Sequence, residues 1–264
     1  MTSTDELASQ TGVAPITEVD VRHGERSVAS IFLTPVLLVV ALTLLYVYVH
    51  ARTLDSIEMR TLNQAYLTAR TLEHIRLTVM STVLVILIAI PLGIMLTRPG
   101  ARRATPGALG VVNVGQAVPS IGVLVLLGIT LGFGFRYAIV ALVLYSFLPV
   151  LRNTMAGLQR VDRSLIDAAR GMGITKRLVL LRVELPLAVP VMMAGLRTAL
   201  IINVGTATLA TFTNAGGLGN VIDAGLKLDR RPVLITGAVL VAVLALTIDW
   251  IAGLAERVLR PRGL

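Results

Sequence analysis

The chain has 264 residues, of which 55% are apolar and only 15% charged, and its mean hydropathy is +0.81. A soluble domain carries about 25% charged residues, and the apolar residues here come in long blocks, so a single water-soluble core is excluded as the simplest reading. A formal charge of +9, from 24 Lys and Arg against 15 Asp and Glu, fits bases flanking membrane spans better than nucleic-acid binding, and the absence of cysteine excludes disulfides and thiolate metal sites.

In chain order, residues 1–30 read as a polar N-terminal tail. It carries Asp5, Glu6, Glu18, Asp20 and Glu25 and lacks the apolar stretch of a signal peptide. Uncharged runs then follow at Ile31–Val49, Leu77–Thr97, Ala104–Phe135, Tyr137–Leu151, Thr198–Ile222 and Pro232–Ile248. About 20 apolar residues at 1.5 Å each cross a hydrocarbon core of about 30 Å. Backbone polar groups in hydrocarbon need internal partners, which a helix supplies, and no alternation of period two suggests a barrel. The chain is therefore expected to be an all-α integral membrane protein of about six transmembrane helices. The first spans 31–49. The others lie in a core over 70–255, at about 77–97, 107–128, 137–153, 187–211 and 233–253, and a basic C-terminus occupies 256–264. The third span holds Gly107, Gly110, Gly115, Pro119, Gly122 and Gly128, and Pro119 predicts a break. Lys and Arg are densest between the second and third spans and between the fourth and fifth, which predicts that those loops and both termini are cytoplasmic. Arg52, Arg60, Arg70 and Arg76 weaken that bias.

The loop over 154–186 is long and polar. Ser164, with Asp167 three residues on, predicts a helix start, and Asp167 suits a helix N-terminus electrostatically. Ala168 and Ala169 favour helix with little bulk. Gly171 and Gly173 predict a turn. Thr175 opens a second short helix, and Pro186 turns Leu185 away from helix and starts a new one. A short helix with a small-residue face suits docking on another protein. A basic amphipathic linker lying on the membrane is the competing reading.

The residues also carry a resemblance. Asp167-Ala168-Ala169, three residues, Gly173, nine residues, Val183, one residue and Leu185-Pro186 resemble the EAA loop of ABC importer permeases, with Asp167 for Glu and Val183 for Ile. The segments QAVPSIGVLVLLG (116–128), LYSFLPVLRNTMAGL (144–158), VELPLAVPVMMAGLRTALIINVGTATLA (183–210) and NAGGLGNVI (214–222) resemble the permeases of osmoprotectant importers for glycine betaine, carnitine or choline. The resemblance covers roughly 65–255. It implies a type I ABC importer permease fold in a bacterial cytoplasmic membrane. It also implies a second permease copy or paralogue, two ABC ATPase subunits that bind ATP and Mg, and an extracytoplasmic solute-binding protein. Asp167, Ala168, Ala169, Gly173, Val183, Leu185 and Pro186 would form the coupling element that meets the ATPase. The chain itself has no P-loop, so no cofactor is expected on it, and it is expected to be a non-catalytic transport subunit.

Other candidates lie within the spans. Arg197 sits about 16 Å along the helix from Pro186, where a charge is costly. It is expected to line a gate or to snorkel to an interface, with Asp249 as a possible partner. Asn203, Thr206 and Thr213 share one side at helical spacing, either lining the translocation path or bonding between helices. His23, His50 and His74 are scattered and suggest no metal site. The competing functions are the same architecture importing an amino acid or another small solute, and an osmotic channel that works without an ATPase.

Overall fold

A computed structural model describes residues 28–101 and 103–259. The expected residues 1–27 of the tail and 260–264 of the C-terminus lie outside them. Among the described residues the chain is helical and contains no strand. Five helical segments are long and apolar enough to cross a bilayer, and a bent helix pair brings the number to six if it counts as one span.

The first helix, α1 (Val28–His50), packs on the last helix and is otherwise exposed. A short α2 (Ser56–Thr61) is fixed by a capping box. Asp55 accepts from the Ile57 and Glu58 amides at 2.9 and 2.8 Å, and Glu58 accepts from the Asp55 amide at 3.0 Å. The next helix, α3 (Gln64–Leu96), is much longer than the expected span 77–97. Its 33 residues extend about 50 Å, beyond the hydrocarbon. The expected span began only after Arg70 and Arg76, whereas the helix starts at Gln64 and carries both Arg70 and Glu73. In the fold Arg70 Nη1 pairs with Glu73 at 2.8 Å, and Glu73 also accepts from a later loop.

The third span is broken as Pro119 predicts. Helices α4 (Thr105–Ala117) and α5 (Ser120–Leu131) meet at 93°. The Tyr145 hydroxyl donates to the Val118 carbonyl at 2.5 Å and Gln116 Nε2 donates to the Tyr145 carbonyl at 2.6 Å, so the break is tied to the following helix. That helix, α6 (Phe135–Gln159), is the most buried of the crossing segments and forms the centre of the bundle.

After the connection α7 (Arg163–Gly171) and α8 (Lys176–Val179), the chain widens into a π-turn at Leu180–Glu184 and continues as α9 (Leu185–Ala207). This corrects the expectation of a fresh start at Pro186. Leu185 is helical, with φ −63° and ψ −49°, and its N–H bonds the Leu180 carbonyl five residues back. The wide turn absorbs the missing proline donor without breaking the rod. Helix α9 crosses α6 at small residues. A Cβ on Gly195 would lie 2.5 Å from Asn153 Cβ and 2.7 Å from the Pro149 carbonyl oxygen, so only glycine permits that approach.

A 3₁₀ turn (Thr208–Thr213), α10 (Gly219–Lys227) and α11 (Arg231–Leu259) complete the chain. The loop before α10 is clamped onto α3. Glu73 accepts from the Gly217 amide at 2.9 Å and pairs with Arg70 at 2.8 Å. Buried His74 accepts from the Leu218 amide through Nδ1 at 3.3 Å, leaving Nε2–H to donate to the Val204 carbonyl at 3.0 Å. The core is aliphatic, with Leu77, Leu124 and Leu142 towards one end and Val85, Val150 and Leu151 towards the other.

Candidate functional site

The segment carrying the EAA-like pattern folds as a helical hairpin projecting from the bundle. Its first helix, α7, begins two residues earlier than expected. Asp162, not Ser164, is the cap, accepting from the Ser164 amide at 2.8 Å. The Ser164 amide and then its hydroxyl hold the Asp162 carboxyl below the ordinary aspartate range. Asp167 is consequently the fifth helical residue, past the first turn where the dipole is strongest.

The three pattern residues on α7 divide by environment. Asp167 and Ala168 are exposed, together with Leu165 and Met172, while Ala169 is buried against the chain's own hairpin. The helix ends in a Schellman motif. The Ile174 amide bonds the Ala169 carbonyl at 3.2 Å and the Gly173 amide bonds the Arg170 carbonyl at 2.9 Å. Gly173 takes the left-handed conformation this requires, at φ +79°, and a Cβ there would meet nothing. Its glycine therefore answers a backbone demand, not a space demand. Val183, Leu185 and Pro186 are half-buried in the π-turn and the first turn of α9. Between them stands Glu184, at the position the pattern leaves free. Arg98, just after α3, grips both of its oxygens, Nη1 to Oε1 at 3.2 Å and Nη2 to Oε2 at 2.7 Å.

Arg197 does meet Asp249, through Nε at 3.0 Å and Nη2 at 2.6 Å, and it also reaches Glu256 at 3.1 Å. The cluster ties α9 to α11. Glu256 was missed, although its spacing of seven from Asp249 puts both on one helix face.

The polar stripe on α9 is only partly assembled. Asn203 is buried and donates to Thr82 Oγ1 on α3 at 2.9 Å, which fits interhelical bonding and not an open lining. Thr213 lies beyond the α-helix, in the 3₁₀ turn, where its hydroxyl bonds the Ala210 carbonyl and its carbonyl accepts from Gly134. Three residues per turn instead of 3.6 breaks the shared face. Thr206 lines a cleft of about 530 Å³ at the break of the third span, with Gln116, Ser120, Tyr145, Ile201 and Thr208 among its walls. Sequence reading did not gather these residues. Pro119, with Gln116 three residues before it and Ser120 after it, was the available signal. Among the described residues no cluster of His, Asp or Glu has the makings of a metal site.

A helical bundle with a broken third span and a projecting helical hairpin ahead of a continuous crossing helix defines a membrane permease subunit with the type I ABC importer fold. It superposes on the methionine ABC transporter MetNI in an inward-facing conformation with a TM-score of 0.64, at 26% identity, over 74% of this chain and 96% of that one. The chain belongs to the family of binding-protein-dependent transport system inner membrane components, whose pattern matches residues 89–261. It is 44% identical over 192 residues to the choline transport system permease protein OpuBB of Bacillus subtilis (strain 168), covering 73% of this chain and 88% of that protein. It is 41% identical over 223 residues to the osmoprotectant import permease protein OsmY of Salmonella typhimurium (strain LT2), covering 84% and 93%.

Proposed function

We propose that this chain is the membrane-path subunit of an ATP-driven importer of compatible solutes such as glycine betaine, choline or carnitine. The observation that carries the reading is the 41–44% identity to choline and osmoprotectant permeases over most of both chains. In this reading two ATPase subunits bind ATP and Mg and receive α7 through Asp167, Ala168 and the exposed Leu165 and Met172. Ala169, Gly173, Val183, Leu185 and Pro186 fix the shape behind that contact. A second permease, a copy or a paralogue, completes the path. An extracytoplasmic binding protein selects the solute and delivers it. Both termini and the α7 hairpin face the cytoplasm, as the distribution of Lys and Arg favours.

The path runs past the cleft at the α4–α5 break, where Thr206 meets Gln116, Ser120, Tyr145 and Thr208. Discontinuous helices are tolerated in a membrane where they line a cavity. The Arg197–Asp249–Glu256 cluster and the Asn203–Thr82 bond act as ties between helices, and Thr213 fixes the turn beyond α9. ATP binding draws the two permeases' α7 helices together and shifts the bundle between inward-open and outward-open states, a two-state population change.

The test is uptake of radiolabelled betaine, choline and carnitine by the permease reconstituted with its ATPase and binding protein. ATP-dependent uptake of at least one is expected. Flux without ATP would favour an osmotic channel. A second reading, import of an amino acid, is favoured by the likeness to the methionine transporter, and competition by amino acids in the same assay separates the two.

A further inference from the structure

We propose that Arg98 and Glu184 are positioning residues that lock α3 to α9 at the π-turn, so that displacement of α7 moves both helices as one unit. The inference rests on the importer reading above.

Glu184 is an acid with a side chain only 9% exposed. Burying a carboxylate is unfavourable unless it is paired with good geometry, and an apolar residue would fill the position at less cost. Arg98 supplies the pairing in two-pronged form, each guanidinium nitrogen on its own oxygen, at 3.2 and 2.7 Å. Such a fork constrains orientation as well as distance.

The place of the pair in the chain gives it a mechanical meaning. Arg98 follows α3 directly, one residue after the cap at Thr97. Glu184 is the last residue of the π-turn, between the hairpin of α7 and α8 and the long helix α9. A π-turn is a wide turn within a rod and a natural point of give. An unbraced turn there would absorb part of any push arriving from α7. The pair braces it against a second helix.

The two braced helices are also joined further along. Asn203 on α9 bonds Thr82 on α3 at 2.9 Å, and the Val204 carbonyl meets His74 on α3 at 3.0 Å. Glu184 and Asn203 are separated by nineteen residues, about 28 Å of helix. Polar ties at both ends of that length leave α3 and α9 little freedom to slide past each other. Those further ties are buried in the bundle, whereas Arg98–Glu184 is the one beside the hairpin that receives the push.

The test uses the full complex in proteoliposomes and measures solute moved per ATP hydrolysed, with thermal melting of each variant in parallel. The variants are Arg98→Glu, Glu184→Arg, the exchange of both, and the neutral pair Arg98→Gln with Glu184→Gln. Coupling changes of this kind are worth a few-fold to about thirtyfold. Each single reversal is expected to lower the ratio of solute to ATP by about tenfold, with ATP hydrolysis continuing, and the exchange is expected to restore it to within about twofold. The neutral pair removes both charges and leaves two amides that can still hydrogen-bond, and is expected to lower the ratio while melting near wild type. A wild-type ratio in the single reversals or in the neutral pair would overturn the proposal. So would losses of transport and ATP hydrolysis in strict parallel with lowered melting, since a purely structural pair does that. Wild-type uptake that needs no ATP would remove the importer reading and the brace with it.

Discussion

Replacing Arg197 with leucine would leave Asp249 and Glu256 without their shared cation in the apolar part of the bundle. Breaking a fully buried ion pair from one side costs about 3–5 kcal/mol. Arg197 and Asp249 are 17% and 16% exposed, and Glu256 is 30% exposed. Asp249 keeps a further interaction in the fold, and the partial exposure of Glu256 lets water reach it, which limits the penalty. Together these lower the expected loss to about 2–3 kcal/mol for Arg197→Leu. Asp249→Leu removes the shorter partner and leaves Glu256 on the arginine, so its loss should be smaller, about 1–2 kcal/mol. The double variant removes both halves of the main contact, and its loss should fall short of the sum by about 1–2 kcal/mol. The assay is reversible unfolding of the purified permease in mixed micelles, run as a double-mutant cycle. Losses that add to within about 0.5 kcal/mol would refute the tie between α9 and α11. Stability unchanged in all variants, with transport abolished, would return Arg197 to the role of a gate.

Four further outcomes are expected. Gly205 lines the cleft and a Cβ there meets nothing, so Gly205→Leu should leave melting unchanged and obstruct uptake, with Gly205→Ala intermediate in a transport assay. Gly195→Ala should destabilise the fold by about 2–3 kcal/mol, because the obstructing atoms include backbone, as thermal melting would show. Gly173→Ala strains the left-handed turn at φ +79° by about 1 kcal/mol; it and Asp167→Lys should raise ATP hydrolysed per solute moved, measured in the reconstituted complex. The Asp162 cap has a depressed carboxyl, so its stabilisation is present above the ordinary aspartate value of 3.8 and is lost as the pH falls through the lower folded value. The Ser164 amide resonance should report that transition, and in Asp162→Asn it should not titrate.

The parts legible without coordinates were those written in local pattern. Long uncharged runs announced the spans because hydrocarbon leaves the backbone no other partner, and Pro119 announced the broken third span because its ring and missing donor act within one turn. The Asp167–Pro186 spacing was readable for the same reason, since a helix, a glycine turn and a second helix are close in sequence. Errors arose where a local signal met a tertiary counterweight. Pro186 promised a helix start, but the π-turn before it absorbed the lost bond. Ser164 was a plausible cap, but Asp162 reached the same amide end first. The expected span began only at 77, after the charges of Arg70 and Arg76, but α3 starts at Gln64, and the return of residues 217 and 218 against it gives Glu73 and His74 their partners there.

What the sequence alone determined is therefore the class of solvent, the long apolar helices and the hairpin with its left-handed glycine, all consequences of interactions within a few residues. What the tertiary structure decided is which polar groups meet. Arg98 and Glu184 are 86 positions apart, and Asn203 and Thr82 are 121 apart. No helical period relates such residues, and the pairing comes from helices α3, α6 and α9 packing closely through glycine. The same packing decided that the cleft at the α4–α5 break gathers Gln116, Tyr145 and Thr206, while Asn203, from the same expected stripe, is turned inward to hold the helices together.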